Sequence, residues 1–248
     1  MELTAQQKPL NRDTIKYIAM FTMLLNHIAN AFVPYGSIWY EILVDIGYFT
    51  AITMCYFLVE GYEYARSKRN YGLRLFGFAV LSQFPFSLAF SEPGELRFHG
   101  FNMLFTLFIC FLILVVGEKV KNPVLRGVLW VVLVFCTVNS DWPLLAAIYT
   151  LLFRWAGKSH TRLKVVYPVA ALLFALLMIP NGIYLYPLGE AVLRTVCGTL
   201  GIFVSGACIL YLYNGRRAEH GQNFSKWFFY LFYPAHLLVI GLLHFALG

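Results

Sequence analysis

The chain has 248 residues, of which 60% are hydrophobic and only 12% are charged, and its formal net charge is +7. A soluble domain carries roughly 45–50% apolar and about 25% charged residues, and a disordered chain carries fewer apolar residues still, so both classes are excluded. The composition instead predicts a polytopic membrane protein, whose apolar surface faces lipid. We expect one integral-membrane domain over residues 1–248, in the inner or plasma membrane of the cell.

Nine apolar segments, each bounded by charges, glycine or proline, predict an all-α membrane helical bundle. Several of them are shorter than the roughly 20 residues expected of a transmembrane helix. The segment 142–155 is the weakest, and a re-entrant segment is the alternative there. In chain order the nine segments are 15–33, 42–59, 73–90, 101–116, 124–138, 142–155, 165–179, 191–213 and 227–247.

Positive charges predict how these segments are oriented. With a cytoplasmic N-terminus, seventeen of the nineteen Lys and Arg residues fall in inner segments, whereas Arg97 lies in an outer loop and Arg194 inside a span. This distribution obeys the positive-inside rule, so we predict that the N-terminus is cytoplasmic and the C-terminus is outside. The charge then serves orientation and contact with anionic lipid, and no nucleic-acid partner is needed. The alternative is that some inner loops bind a phosphorylated cytoplasmic ligand.

The first span carries three polar side chains that a membrane helix rarely contains, Asn26, His27 and Asn30. His27 lies roughly 18 Å beyond the cytoplasmic end of the helix, in the outer half of the bilayer. Ionisable and amide groups at such depth are costly and are functional candidates. The alternative is that they are interhelical hydrogen-bonding groups.

A cationic turn follows the second span. The span ends at Glu60, and the turn then brings four cations and an aromatic residue within fifteen residues. The cluster fits either an acidic helix end neutralised by a basic loop or a binding site for phosphate groups, and the residues alone leave both open. Its members are Arg66, Lys68, Arg69, Tyr71 and Arg74.

Two amide side chains stand out in the third and fourth spans. Gln83 lies near the middle of the membrane and needs hydrogen-bond partners there, and Pro85 just after it predicts a kinked helix. Asn102 begins the fourth span. We single out both amides as candidate donors in a polar site within the bundle.

The last two spans add an ion pair and a histidine. Glu190 and Arg194 have the i, i+4 spacing of a helical ion pair, for which we expect a structural role. His236 lies near the bilayer centre, two residues after Pro234. The dispersed histidines have no HxxxH or HExxH spacing, so no metal is expected. No nucleotide-binding motif or internal repeat is found, which disfavours an ATP-driven pump and weakens a transporter built on paired halves.

Four ordered blocks resemble the TraX-type family, named for the F-pilin acetylation protein. The likeness covers most of residues 13–106 and returns at 226–240, whereas 107–225 match only in hydropathy. The blocks are Asp13-Thr-Ile-Lys-Tyr-Ile-Ala with Met23-Leu-Leu-Asn-His27; Phe57-Leu-Val-Glu-Gly-Tyr62 with Arg66, Tyr71 and Arg74-Leu-Phe; Ser82-Gln-Phe-Pro-Phe86 with Asn102-Met-Leu-Phe-Thr106; and Phe229-Tyr-Leu-Phe-Tyr-Pro-Ala-His236-Leu-Leu.

The resemblance implies an integral-membrane acetyltransferase that moves an acetyl group from cytoplasmic acetyl-CoA to an amine or hydroxyl of a cell-envelope acceptor, such as a pilin-like peptide or a glycan. His27 is then the expected base, with His236 in the same site. The cationic turn would hold the phosphates of CoA. Where the family is expected to carry an acid, this chain has Asn26, which can hydrogen-bond but cannot be charged. The expected donors to the developing oxyanion are Asn26, Gln83 and Asn102.

Two other functional classes remain open from the sequence. A transporter or channel would line its polar path with His27, Gln83 and His236. A non-catalytic membrane assembly factor would use the same side chains only to hold its helices together. Binding of acetyl-CoA distinguishes the enzyme from both.

Overall fold

The computed structural model describes residues 8–92 and 95–247, and its regular elements within these ranges are helices. The only extended pairings there are the isolated bridges Leu10–Tyr213 and Phe101–Ser140. A π-helical turn, Cys208–Leu212, continues the eighth helix. The helices are α1 Arg12–Phe32, α2 Ile38–Tyr64, α3 Lys68–Phe90, α4 Met103–Lys119, α5 Pro123–Phe135, α6 Leu145–Ala156, α7 His160–Gly182, α8 Leu188–Ala207 and α9 Gln222–Leu247.

Each of the nine predicted segments overlaps one helix, and the prediction of a helical membrane protein is confirmed. Within the described residues five helical segments are long and apolar enough to cross a bilayer: α2, α3, α7, α9 and α8 with its π-helical turn. The helices α5 and α6 have 13 and 12 residues. They are therefore about 20 and 18 Å long, short of the roughly 30 Å hydrocarbon core. The nine-span count and the orientation of the termini stay predictions.

Polar side chains fix where several helices begin. Their oxygens accept hydrogen bonds from backbone N–H groups of the first turn, which have no partner within the helix. Pro123 follows one of these caps at the first helical position, where its missing N–H costs nothing. The capping residues are Asn11, Ser67, Asn102, Asn122 and Ser159.

The chain divides into two compact units. Unit 1 consists of Met1–Thr53 and Ala156–Phe229, and unit 2 of Met54–Trp155 and Tyr230–Gly248. The expectation of a single domain stays a prediction.

In unit 1, α8 packs closely against α2 because Gly201 of α8 faces the backbone of α2. A Cβ atom on Gly201 would lie 2.8 Å from the carbonyl oxygen of Asp45 and 2.9 Å from the amide nitrogen of Phe49. One turn away, the hydroxyls of Thr53 and Ser205 are 2.7 Å apart. Small residues at such a contact let two helices approach and add interhelical hydrogen bonds.

The same unit contains the predicted ion pair of α8. The guanidinium of Arg194 donates to the carboxylate of Glu190 at 2.8 and 3.0 Å, which confirms that prediction. It also pairs with Glu41 of α2 and lies 4.1 Å above the ring of Tyr186. The charge within this span is therefore neutralised, as the cost of burying a cation requires.

In unit 2, close contacts and a cap hold α3, α4 and α6 together. Phe111 of α4 occupies the space beside Gly72, where a Cβ would come within 2.6 Å of its ring. Arg154 of α6 donates to the carbonyl oxygen of Gly117 at 2.8 Å, which satisfies the exposed end of α4. Pro85 and Pro234 lie inside α3 and α9, which continue through them.

Candidate functional site

His27 is buried in unit 1, with 6% of its side chain exposed, on the same helical turn as Asn26. The amide nitrogen of Asn26 donates to the carbonyl oxygen of Val44 at 3.3 Å. Gly47 makes room for this contact, because a Cβ there would overlap the Asn26 side chain. Asn26 therefore joins α1 to α2 beside the histidine.

A chain of hydrogen bonds extends this contact towards the end of α1. The amide nitrogen of Asn30 donates to the backbone and side-chain oxygens of Asn26, at 2.8 and 3.2 Å. The hydroxyl of Tyr40 donates to the Asn30 side-chain oxygen at 3.0 Å. These bonds fix the backbone around His27, and the catalytic roles expected for Asn26 and His27 stay predictions.

In unit 2, Gln83 and Asn102 form one amide network, which the sequence suggested only by their cost in a membrane. The side-chain oxygen of Gln83 accepts hydrogen bonds from the side-chain and backbone nitrogens of Asn102, at 3.0 and 3.2 Å. Asn102 also donates to the carbonyl oxygen of Ala79 at 2.8 Å. The network joins α3 to the start of α4.

Both side-chain N–H groups of Asn102 are used in this network, since one points to Gln83 and the other to Ala79. Gln83 donates to the carbonyl oxygen of Gly100 at 2.9 Å and to the hydroxyl of Ser87 at 3.5 Å. The bond to Ser87 is the longest of the set and hence the weakest. A role as oxyanion donor stays a prediction for both residues. Of their N–H groups, the one that Gln83 directs at Ser87 is the most easily redirected, because its hydrogen bond is the weakest.

His236 of α9, also in unit 2, has a defined protonation pattern. Its Nδ1 is 2.7 Å from the carbonyl oxygen of Phe232, and a carbonyl can only accept, so Nδ1 carries the proton. In the neutral ring Nε2 then holds the lone pair, which is the state a general base requires. The ring also contacts that of Tyr233, with centroids 5.7 Å apart. The Tyr233 oxygen accepts from the backbone N–H of Met103 at 3.2 Å.

Asp141 is a further member of this region, and no motif in the sequence singles it out. Its backbone pairs with Phe101, and its carbonyl oxygen accepts from the hydroxyl of Thr106 at 2.6 Å. Its carboxylate accepts from the backbone N–H of Trp142 and interacts electrostatically with Tyr233. Burial raises the pKa of Asp141 to about 6.

The corner around Asp141 has a strained backbone. Trp142 and Leu144 have φ angles of 57° and 60°, in the left-handed region that residues with a Cβ avoid. Each such residue costs of order 1–3 kcal/mol and persists only where its surroundings hold it. Here the hydroxyl of Thr137 accepts from Leu144 N–H at 2.9 Å and that of Ser140 donates to the carbonyl of Thr137 at 2.8 Å. Such strain is frequent at functional sites.

The cationic turn lies at the start of α3, also in unit 2. Lys68 donates to the carboxylate of Glu118 at 2.6 Å, and its ammonium lies 4.4 Å from the ring centroid of Tyr62. The Tyr62 hydroxyl donates to the same carboxylate oxygen. The hydrogen bonds from Lys68 and Tyr62 lower the pKa of Glu118. Lys68 thus has a carboxylate partner on α4, which the sequence pattern does not predict.

The other residues of the turn differ in exposure. Arg66 and Arg69 are exposed on either side of Ser67, which caps α3. Arg74 is partly buried, with its guanidinium carbon 6.0 Å from the ring centroids of both Tyr71 and Tyr230. The two exposed arginines stand beside the N-terminus of α3, whose backbone N–H groups favour an anion. Glu60, at the end of α2, is partly buried.

Unit 2 therefore holds every predicted site residue except Asn26 and His27. Helix α3 carries both the cationic turn, at its first residues, and Gln83. From Arg69 to Gln83 the helix rises about 21 Å, so an anion at the turn and a reacting group at the amide network would be separated by most of a membrane thickness.

Comparisons with known proteins agree with the family resemblance. A protein of Dichelobacter nodosus described as "Probable fimbrial assembly protein FimC, serogroup H1" is 30% identical over 239 residues, which cover 91% of this chain and 92% of that protein. No solved structure gives a significant match. The family described as TraX protein matches residues 11–244. The chain therefore belongs to the TraX family.

Proposed function

We propose that this protein is a pilus-related membrane acetyltransferase, which moves an acetyl group from acetyl-CoA to a cell-envelope acceptor. One observation supports the proposal most strongly. In a TraX family member, exposed arginines stand at the start of helix α3 and an amide network lies further along it, while His236 contacts Tyr233, whose oxygen accepts from Met103 next to that network. These are the two features that acyl transfer from a phosphorylated donor needs.

The donor end of the site is the cationic turn. Arg66 and Arg69 are exposed and lie beside the capped start of α3, so their guanidinium groups and the helix N-terminus can bind phosphate oxygens together. Arg74 supplies a third guanidinium one turn further along. Lys68 would contribute its charge only after leaving Glu118. The extended pantetheine arm of CoA would then lead along α3.

The chemical end of the site is the region of His236. Its Nε2 is the nitrogen that can accept the proton of the attacking group, because Nδ1 already donates to Phe232. Gln83 can turn its N–H from Ser87 towards the developing oxyanion. As the acceptor attacks the thioester carbonyl, the new bond to the acceptor forms and the C–S bond breaks. The proton held on His236 then passes to the leaving thiolate.

His27 is the second candidate base, and the family resemblance favours it. It is buried, and the neighbouring Asn26 and Asn30 form hydrogen bonds on the same helix. The proposal is therefore tested with both histidines, each replaced singly.

The acceptor class follows from the relative alone. The Dichelobacter nodosus relative is described as a fimbrial assembly protein, so a pilin-like peptide is the first acceptor to test. A glycan of the cell envelope is the second. The acceptor, acetyl-CoA as donor and the location in the inner membrane are all part of the proposal.

Thermal unfolding of the purified full-length protein tests donor binding. A ligand that binds only the folded state at about one hundred times its Kd stabilises by about 2.7 kcal/mol, which raises the Tm of a chain this size by about 5 °C or more. We expect that shift with acetyl-CoA and with CoA, but not with acetate or adenosine. A transporter for another solute or a non-catalytic assembly factor would show no shift at saturating acetyl-CoA, and that result would overturn the proposal.

A further inference from the structure

One carboxylate oxygen at the cationic turn accepts hydrogen bonds from two different side chains. The Oε2 atom of Glu118 lies 2.6 Å from the ammonium nitrogen of Lys68 and also accepts from the hydroxyl of Tyr62. The three residues come from three helix ends: Tyr62 from the end of α2, Lys68 from the start of α3 and Glu118 from the end of α4. The two donors therefore form a small anion-binding position, which a carboxylate of the chain itself fills.

Both donors are held in place by contacts other than this carboxylate. Tyr62 is buried, and its ring packs edge-on against that of Phe111, with ring centroids 5.5 Å apart. Phe111 in turn fills the space beside Gly72 of α3. The Lys68 ammonium lies 4.4 Å from the Tyr62 ring centroid, which is a cation–π distance. Tyr62 and Lys68 thus keep these contacts when Glu118 moves away.

Glu118 can leave this position at little cost. It is the next-to-last residue of α4, and its side chain is 40% exposed, while that of Lys68 is 37% exposed. An ion pair so open to water contributes little to stability, because solvent and salt weaken it. A soluble anion can therefore reach both charges and compete with Glu118 for the two donors.

The positive charge around this position exceeds what one carboxylate neutralises. Besides Lys68, the guanidinium of Arg154 acts electrostatically on the Tyr62 hydroxyl, and it is anchored to a carbonyl oxygen at the end of α4. Arg66 and Arg69 are exposed on the same turn. A phosphate group carries more negative charge than a carboxylate and has more acceptor oxygens, so it matches this surplus better.

We propose that Tyr62 and Lys68 form a phosphate-binding position of the donor site, and that a phosphate of the donor displaces Glu118 from it. This inference rests on the proposed function. It adds the Tyr62 hydroxyl to the groups that bind the donor and names the event that releases Lys68. The displacement also confers selectivity, because a weak anion such as acetate gains no more than Glu118 already supplies, whereas a phosphate gains charge and further oxygens.

Binding of inorganic pyrophosphate and of CoA to the purified full-length protein, followed by calorimetry, tests the displacement. Glu118→Gln removes the competing charge and keeps the length of the side chain, so we expect it to bind both ligands about tenfold more tightly than the native protein does. The matched control is Glu63→Gln, which removes an exposed carboxylate near the end of α2 and should change the affinity by less than about twofold. Affinity that does not rise in Glu118→Gln, or that rises equally in Glu63→Gln, would overturn the proposal.

A second measurement uses the native protein and holds if Glu118→Gln does not fold. A water-soluble carbodiimide modifies accessible carboxyl groups, and mass spectrometry gives the modification of Glu118 relative to that of Glu63 in the same sample. Most ligands protect the groups that they cover, but displacement predicts that CoA raises the modification of Glu118 several-fold and that acetate does not. Modification that CoA lowers or leaves unchanged would overturn the proposal.

The outcomes separate this inference from the proposed function. If CoA binds and releases Glu118 but no acetyl group is transferred, the function is refuted and the phosphate position stands. If acetyl transfer occurs and CoA does not release Glu118, the phosphate position is refuted and the function stands. Release of Glu118 by short-chain phosphatidic acid but not by CoA would overturn donor binding at this position and identify a lipid phosphate as its ligand.

Discussion

The carboxylate of Asp141 makes a testable contribution to stability. Burial raises its pKa to about 6, above the value of about 4 expected in the unfolded chain. The folded state therefore favours the protonated form, so the stability that this group contributes is full below pH 4 and is lost as the pH rises towards 6 and beyond. The loss is at most about 3 kcal/mol.

We expect Asp141→Asn to raise the Tm at pH 7.5, because it removes the charge and keeps an acceptor for the Trp142 N–H. The gain over the native protein should vanish well below pH 4, where the carboxyl is protonated in both states. Thermal unfolding of both proteins across this range measures the effect. An equal Tm at pH 7.5, or a gain that persists well below pH 4, would contradict it.

Replacing His236 and His27 singly shows which of the two histidines is the general base of acetyl transfer. Loss of a general base typically reduces the rate by 10²- to 10⁴-fold, so we expect His236→Ala to lower the kcat of acetyl transfer by about 10²-fold or more. His27→Ala is made and assayed in the same way, with its fold checked by Tm. If only His27→Ala abolishes transfer, the base is His27 and the mechanism centred on unit 2 is wrong.

At the residue scale, the sequence predicts which polar side chains are costly to place in a membrane. It does not predict which groups they form hydrogen bonds with. Gln83 and Asn102 were recognisable because an amide in a membrane needs hydrogen bonds, yet their pairing with each other depends on a loop that returns to α3. Asp141 carries no such signal, because the groups around it, which include Phe101 and Tyr233, are distant in sequence.

The packing of α8 on α2 depends on one glycine. We expect Gly201→Ala to destabilise the protein by about 1–3 kcal/mol, because its Cβ would meet backbone atoms that cannot move aside. Its Tm should fall by several degrees. The control is Gly189→Ala on the same helix, where a Cβ meets nothing within 4 Å and alanine favours the helix. Equal Tm values for the two variants would contradict this packing.

The cationic turn is tested through the KM for acetyl-CoA. The double variant Arg66→Ala, Arg69→Ala removes contacts to the phosphates that are the same in the ground and transition states, so KM should rise about tenfold or more with kcat unchanged. Lys121→Ala, an exposed cation outside the turn, is the control. A double variant with unchanged KM would show that the donor binds elsewhere.

At the element scale, the apolar segments bounded by charges, glycine or proline predicted each helix of the described residues. They could do so because a helix forms where the local pattern of residues favours it. The caps Asn102 and Asn122 and the proline at 123 mark helix starts that a reader of the sequence can find. The sequence did not predict how short α5 and α6 are. Segment 142–155 includes the strained corner residues, so its helix begins only at Leu145.

For the whole molecule, the positive-inside distribution predicts an odd number of crossings. Alkaline phosphatase fused after Gly248 should be active and green fluorescent protein fused there should be dark, since the C-terminus is predicted outside. Fusions after Lys158, in a predicted inner loop, should behave in the opposite way. Matching behaviour at both positions would contradict the predicted topology. The charge pattern could predict this orientation, whereas the short α5 and α6 leave the number of crossings to experiment.

The central claim is acetyl transfer, and incubation with acetyl-CoA labelled in its acetyl group tests it most directly. The purified protein is combined with cell-envelope membranes, and the labelled product is identified by mass spectrometry. We predict a label on an amine or hydroxyl of an envelope molecule, at a rate that His236→Ala lowers by about 10²-fold or more while Lys121→Ala does not change it. Folded protein that binds no donor and labels no envelope component above the background of protein-free membranes would contradict the account.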